Sequence, residues 1–232
     1  AVVLVTTVRA LKMHGGKDKS DLETEDLSAV AKGLENLDKH IESVKLFNKH
    51  PVVALNRFVS DTDIEIALIQ ARCVEHGVSF AETTHHADGG KGAIDLAKAI
   101  MNSIDKSTPF VPLYELENSV VDKVRKVSRA MYGATDVAFS KQAEKDLKHV
   151  EQLGLTHLPI CIAKAPSSLS DDPTLHGRPR DFEVTVSSIQ INAGAGFLVI
   201  LTGNIMRMPG LPKIPAANNI NLLASGIIDG LE

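Results

Sequence analysis

The sequence predicts an α/β protein: a parallel sheet with flanking helices, followed by a smaller α+β region with short antiparallel strands. Three observations carry that prediction. Val2–Thr7 is β-branched and apolar on both faces, the pattern of a strand buried between two helical layers. Strand-like and helix-like stretches then alternate as far as about Ile104, which implies right-handed crossovers and parallel pairing. The last third abandons that rhythm for short strands separated by turn residues. An apolar strand needs neighbours on both edges, and the chain supplies few downstream. The run from Ala1 therefore reads as the middle of something, a fragment of a larger α/β enzyme.

After the first strand, Arg9–Gly16 reads as a loop. Thr24 is expected to cap a long helix, with Glu25 and Asp26 in its first turn where acids favour the positive helix end. Leu27, Val30, Leu34, Leu37, Ile41 and Val44 form one stripe at spacings of three and four, the mark of a sheet-covering helix. Pro51–Phe58 is the second strand. Thr62 and Glu65 make a capping-box pair opening a helix that reaches His76, with Gly77 as its stop. Val78–Thr84 is the third strand, followed by the loop His85–Gly92 and a helix through about Ile104.

Beyond Pro109, Val111–Tyr114 is expected as a short strand and Ser119–Tyr132 as a helix ended by Gly133. Val137–Phe139 is a strand, and Ser140 caps a polar helix ending at Gly154. Leu158–Lys164 is a buried strand, and Ala165–Arg180 a loop rich in Ser, Asp and Pro. Phe182–Val186, Ile189–Asn192 and Phe197–Thr202 are antiparallel strands, and prolines and asparagines exclude regular structure from Gly203 to Ile220. The expected division is residues 1–108, 109–165 and 166–232.

Composition narrows the function. A net charge of −4 offers no basic field for nucleic acid or an anionic membrane. No apolar run approaches the roughly 20 residues that span a bilayer, and the start lacks the zones of a secretory signal. Cys73 and Cys161 lie in apolar surroundings, too far apart in sequence for a disulfide framework or a zinc site. Both read as buried, reduced thiols in a cytosolic protein.

In doubly wound sheets, ligands sit at the carboxyl ends of the strands. The three loops that leave such ends here carry Arg9, Lys12, His14, Arg57, His85, His86 and Lys91, a positive rim with Asp61 and Asp88 as counterweights. A rim of this sign suits a phosphate or carboxylate. A phosphate cradle, however, is not found. Gly16-Lys17 has Leu11 where a P-loop needs its first glycine, and Gly90-Lys91 has His85 there. Gly194-Ala-Gly196 has Val199 where a dinucleotide fingerprint needs its third glycine. Adjacent histidines in an extended loop point apart, so no metal is assigned to His85 and His86.

The strand ends taken together carry a resemblance. Val8-Arg-Ala-Leu-Lys-Met-His-Gly-Gly16, Asn56-Arg-Phe-Val-Ser-Asp-Thr62, Ala87-Asp-Gly-Gly-Lys-Gly92, Leu158-Pro-Ile-Cys-Ile-Ala-Lys164, Ser168-Leu-Ser-Asp-Asp-Pro173, Gly194-Ala-Gly-Phe197 and Met208-Pro-Gly-Leu-Pro212 occur in that order. The set resembles the carboxyl-terminal part of formate–tetrahydrofolate ligase over essentially the whole chain. The resemblance implies a cytoplasmic homotetramer whose sheet is P-loop-NTPase-like. It also implies ATP-dependent joining of formate to tetrahydrofolate through formyl phosphate, with ATP and Mg²⁺ handled by an amino-terminal half not represented here.

For this chain the resemblance implies the folate side. Phe58, and His86 in the His-x-Ala-x-Gly-Gly loop, correspond to the two aromatics that sandwich the pterin ring, with Asn56, Arg57 and His85 beside them and Arg9 and Lys12 on an anion rim. The family commonly has Trp where His86 stands, and ends in Gly-Leu-Phe where this chain has Gly230-Leu-Glu232. The alternative expectation is a non-catalytic folate-binding or assembly module of the same fold. Another ATP-dependent carboxylate ligase would explain the strand order but not the motifs.

Overall fold

The computed structural model describes residues 1–104, 108–203, 205 and 213–230. The Met208–Pro212 motif and the final Leu231-Glu232 lie outside the described residues. Among the described residues no helix is long and apolar enough to cross a membrane.

Strands β1 (Val2–Thr6), β2 (Pro51–Asn56) and β3 (Ser79–Thr83) form a parallel sheet in that order, with Leu4 opposite Val53 and Ala54 opposite Ala81. The first departure from expectation follows β1. Val8–His14 is a helix, α1, because the Thr7 hydroxyl accepts from the Ala10 N–H at 3.0 Å and caps it. Helix α2 (Leu27–Leu46) is capped by Asp26, whose side chain accepts from Ala29 N–H, and not by Thr24. Thr24 is engaged elsewhere: its hydroxyl donates to Asp21 and its carbonyl accepts from Lys12. Helix α3 (Asp63–Glu75) starts on the Thr62–Glu65 capping box, as the spacing predicts, and Gly77 follows it at φ +62°.

Val30, Leu34, Leu37 and Ile41 of α2 meet Val53 and Leu55 of β2 and Ile66, Ile69 and Cys73 of α3 in one buried cluster. Leu27, the first residue of α2, stays exposed. Helix α2 has a second buried stripe that is polar. Asn36 donates to Gly177 O at 2.8 Å, Lys39 to Ala130 O at 2.6 Å and Ser43 to Met131 O at 3.2 Å. Glu42 accepts two hydrogen bonds from Arg178, at 2.8 and 2.7 Å. One helix thus serves two units, apolar toward the first sheet and polar toward the second.

After β3 come α4 (His85–Asp88) and α5 (Ile94–Ile104), the latter packed on β3 and β2. Val111–Tyr114 is irregular, with a bend at 113–114, rather than a strand. Its Val111 N–H donates to Phe47 O at 3.2 Å and its Tyr114 hydroxyl accepts from Ile160 N–H at 3.1 Å, which hold the segment at both ends. Helix α6 (Val120–Val127) continues into a π turn, Ser128–Tyr132, ended by Gly133 at φ +81°. Strand β4 (Asp136–Phe139), helix α7 (Lys141–Gln152) and strand β5 (Ile160–Ala163) follow.

Strand β6 (Glu183–Asn192) is one strand where two were expected; its register against β7 (Phe197–Thr202) shifts between Val186 and Ser188. A bulge of this kind kinks a strand without ending it. The second sheet has the order β4-β6-β7-β5, taking strands from both sides of residue 165. Only β6 and β7 pair antiparallel. The β4–β6 and β5–β7 pairs are parallel, so the region is mixed rather than antiparallel throughout. The short strands β8 (Asn221–Leu222) and β9 (Ile228–Asp229) make a separate antiparallel pair, after a 3-10 turn at Ala216–Asn219.

The cysteines part ways. Cys73 is buried in the first core, and burial, assisted by Asp38, pushes its thiol up to about 11. Cys161, expected to be buried, is exposed on β5. A thiol reagent at mildly alkaline pH should therefore label Cys161 quickly in the folded chain and Cys73 only after denaturation. Labelling of both at equal rates would contradict this arrangement.

Candidate functional site

The site is built where β2 and β3 end. Past Asn56, the Arg57 N–H donates to Thr83 O at 3.0 Å, carrying the parallel pairing one residue further. The chain then turns sharply. Asp61 N–H donates to Phe58 O at 3.1 Å, and Phe58 N–H returns a bond to Asp61 Oδ2 at 2.8 Å. This reciprocal pair sets Phe58 and Val59 outward at the lip while Asp61 is buried beneath them. Burial pushes the Asp61 carboxyl above its ordinary value, and its Oδ1 has no partner among the described residues.

The opposite wall is α4. Thr84 O accepts from Ala87 N–H and Asp88 N–H at 3.0 and 2.9 Å, and the Thr84 hydroxyl donates to Asp88 at 2.7 Å. These bonds wind His85 and His86 into a helical turn, where an extended loop was expected. Thr84 N–H reaches across to Gly92 O at 3.0 Å. A Cβ on Gly92 would lie 2.5 Å from the Thr84 carbonyl carbon, so glycine is required for that closure.

Between the two walls lies a cleft of about 460 Å³, lined by Arg9, Asn56, Arg57, Phe58, His85 and His86, with Thr84 and Asp88 behind. Phe58 is 37% exposed, so it is no core aromatic closing the strand. The Arg9 guanidinium sits 4.4 Å from its ring centroid. Such a cation–π contact is worth about 0.5–1 kcal/mol at an exposed site and fixes the ring plane.

The rim is less positive than the sequence suggests. Arg9 pairs with Glu23 at 3.0 Å, and Arg57 with Glu82 at 3.0 Å and Asp63 at 2.7 Å. Hydrogen bonds to Glu82, then to Asp63, hold the Arg57 guanidinium further into its charged form. Nothing local in the sequence marks which cation Glu23, Asp63 or Glu82 will meet.

Lys12 requires correction. Its ammonium is fully buried and lies on no rim: it donates to Glu65 at 2.7 Å, Leu22 O at 3.1 Å and Thr24 O at 2.9 Å. Once Arg9–Gly16 is helical, Lys12 falls three residues past Arg9 and turns inward. His14 also leaves the group, since its Nδ1 accepts from Gly177 N–H at 3.2 Å on the side of the second unit.

The cleft brings the aromatic faces of Phe58 and His86 to one opening, together with the Asn56 amide and the Arg57 guanidinium. The chain contains no G-x-x-x-x-G-K-[ST] segment. Among the described residues no group of three or more His, Cys, Asp or Glu is placed to hold a metal. The family described as formate–tetrahydrofolate ligase matches residues 1–232.

Proposed function

The chain belongs to the formate–tetrahydrofolate ligase family, and from that premise we propose that it supplies the folate-holding face of such a ligase. Members of the family join formate to tetrahydrofolate with ATP. In this reading the pterin ring lies between Phe58 and His86, while Asn56, Arg57 and His85 address its polar edge. Arg9 backs the far face of Phe58. The single observation that carries the reading is that Asn56, Arg57, Phe58, His85 and His86 line one cleft.

The phosphate cradle that the reaction needs is supplied by a different stretch of protein, and β1–β3 are then part of a P-loop-NTPase-like sheet. The ATP, Mg²⁺, formate, homo-oligomeric assembly and cytoplasmic setting implied by the family belong to this same proposal. Such chemistry relies on positioning and charge neutralisation rather than on a protein nucleophile. The task of this face is accordingly to hold N10 of the folate still and to exclude water.

Titrating the chain with tetrahydrofolate tests the proposal. Saturable binding is expected, and Phe58→Ala should weaken it by ~1–3 kcal/mol, roughly 5- to 150-fold in Kd. His86→Trp should tighten it, because indole offers a larger face than imidazole; unchanged or weaker affinity would remove His86 from the stacking role. Absence of saturable binding would end the folate reading. The lack of a phosphate cradle in these residues favours one second reading, a folate-binding module without catalysis. Formate-dependent ADP release on mixing with a P-loop-bearing half separates the two.

A further inference from the structure

Helix α1 presents Arg9 to the folate cleft at one end and His14 to a different space at the other. That second cavity, about 350 Å³, is lined by His14, Asn36, His40, Tyr132, Lys164 and Ser168 among others. It sits where α1 and α2 meet the segment leaving β5, and it shares no lining residue with the folate cleft. Its chemistry is one-sided. Three basic side chains face it, and no Asp or Glu lines it.

The surroundings reinforce that sign. His176 stands edge-on to His14, with ring centroids 6.4 Å apart. Burial lowers the His14 pKa, and His176 and His40 lower it further. His40 is open to solvent on one side, yet the protein packed about its ring lowers it likewise, followed by Lys164 and then Lys39. Lys164 is lowered by burial, with Asp171 opposing. Desolvation drives all three toward neutrality, and basic neighbours add to it at the two histidines, a strain that an incoming anion relieves.

The donors are also disposed for one. The His14 Nδ1 accepts from Gly177 N–H, so the neutral ring carries its proton on Nε2. Among the described residues neither His40 nor the Tyr132 hydroxyl has a hydrogen-bond partner. The Lys164 ammonium is bonded to Ala165 O, Ser168 O and Ser170 O, and so acts as a fixed charge. No arginine lines the cavity, which disfavours a carboxylate seeking a planar fork and suits a tetrahedral group met from several directions.

We infer that this cavity binds a small tetrahedral oxyanion of the phosphate or sulfate class. His14 and Tyr132 donate to it, Lys164 supplies fixed charge, and His40 takes up a proton as the anion enters. The site does not depend on the folate reading.

Sulfate is the suitable probe, because it keeps its double charge through the range in which histidine titrates. Calorimetric titration of the chain should give saturable binding about tenfold tighter at about pH 6 than at about pH 8, the consequence of one linked proton. His40→Gln should weaken binding about tenfold at the lower pH and flatten the pH profile. The melting temperature and tetrahydrofolate affinity should stay unchanged, since His40 touches neither core nor cleft. Inorganic phosphate should compete and chloride should not. Sulfate binding weaker than about 10 mM, equal affinity for chloride, or a pH profile that survives His40→Gln would overturn the assignment.

Discussion

Replacing Lys12 by Met is expected to cost about 3–5 kcal/mol of folding free energy, read as a lowered midpoint in urea. The stem of Lys12 packs as a methionine would, but its ammonium neutralises a carboxylate from which water is wholly excluded. Glu65 would keep two backbone donors, Asp26 N–H at 2.9 Å and Thr62 N–H at 3.2 Å, and lose its only ion-pair partner among the described residues. Burial pushes Glu65 up, while Lys12 and then those two N–H groups outweigh it and hold the carboxyl below its ordinary value.

The pH dependence follows from that sign. A depressed carboxyl contributes stability that is present above its unfolded pKa and lost as pH falls through the folded one. In the Lys12→Met chain the opposing force is removed and burial prevails, so acidification should narrow the gap between the two proteins. Adding Glu65→Gln should recover about 1–2 kcal/mol, because a neutral amide carries no buried charge and its one oxygen can still accept from one of the two N–H groups. A loss below about 1 kcal/mol for Lys12→Met alone would mean the pair behaves as a surface ion pair.

Gly33→Ala should be nearly as damaging, at about 3 kcal/mol, the upper part of the usual overpacking range. Alanine in place of glycine inside a helix would by itself stabilise by about 1 kcal/mol. Here an added Cβ would lie 1.9 Å from Leu11 O and 2.6 Å from Leu11 C, atoms of the α1 backbone that cannot rotate away. Gly15 makes the reciprocal approach, 1.9 Å from Ala29 O on α2. Separating the helices would also displace Arg9 from Phe58, so tetrahydrofolate affinity should fall with stability. Gly90→Ala is the control, with nothing within 4 Å of its added Cβ and no positive φ. Its melting temperature should match the unaltered chain; equal losses at both positions would remove helix contact as the cause.

Much of the first unit is legible residue by residue. The strands at Val2, Pro51 and Ser79 announce themselves through apolar runs, and α3 through Thr62 and Glu65 three positions apart. Asn56, Arg57 and Phe58 stand at a strand end, and His85 and His86 follow another. A sheet places successive strand ends side by side, so these residues converge without any long-range information. Errors arose where short-range patterns competed. Arg9–Gly16, expected as a loop, is mostly helical because Thr7 caps α1. Thr24, expected as the cap of α2, instead turns its hydroxyl to Asp21, and the cap falls to Asp26, expected in the first turn.

What the sequence determined alone is therefore local and periodic: where strands and helices lie, and which residues gather at the open end of a parallel sheet. Burial of charge, the pairing of Arg57 with Glu82 and Asp63, the two-sided use of α2 and the basic cavity at His14 were decided only by tertiary contact. The physical reason is that an apolar stripe carries its own instruction through water avoidance. A charged side chain's state depends on which distant group arrives within about 3 Å, and no short window of sequence contains that group.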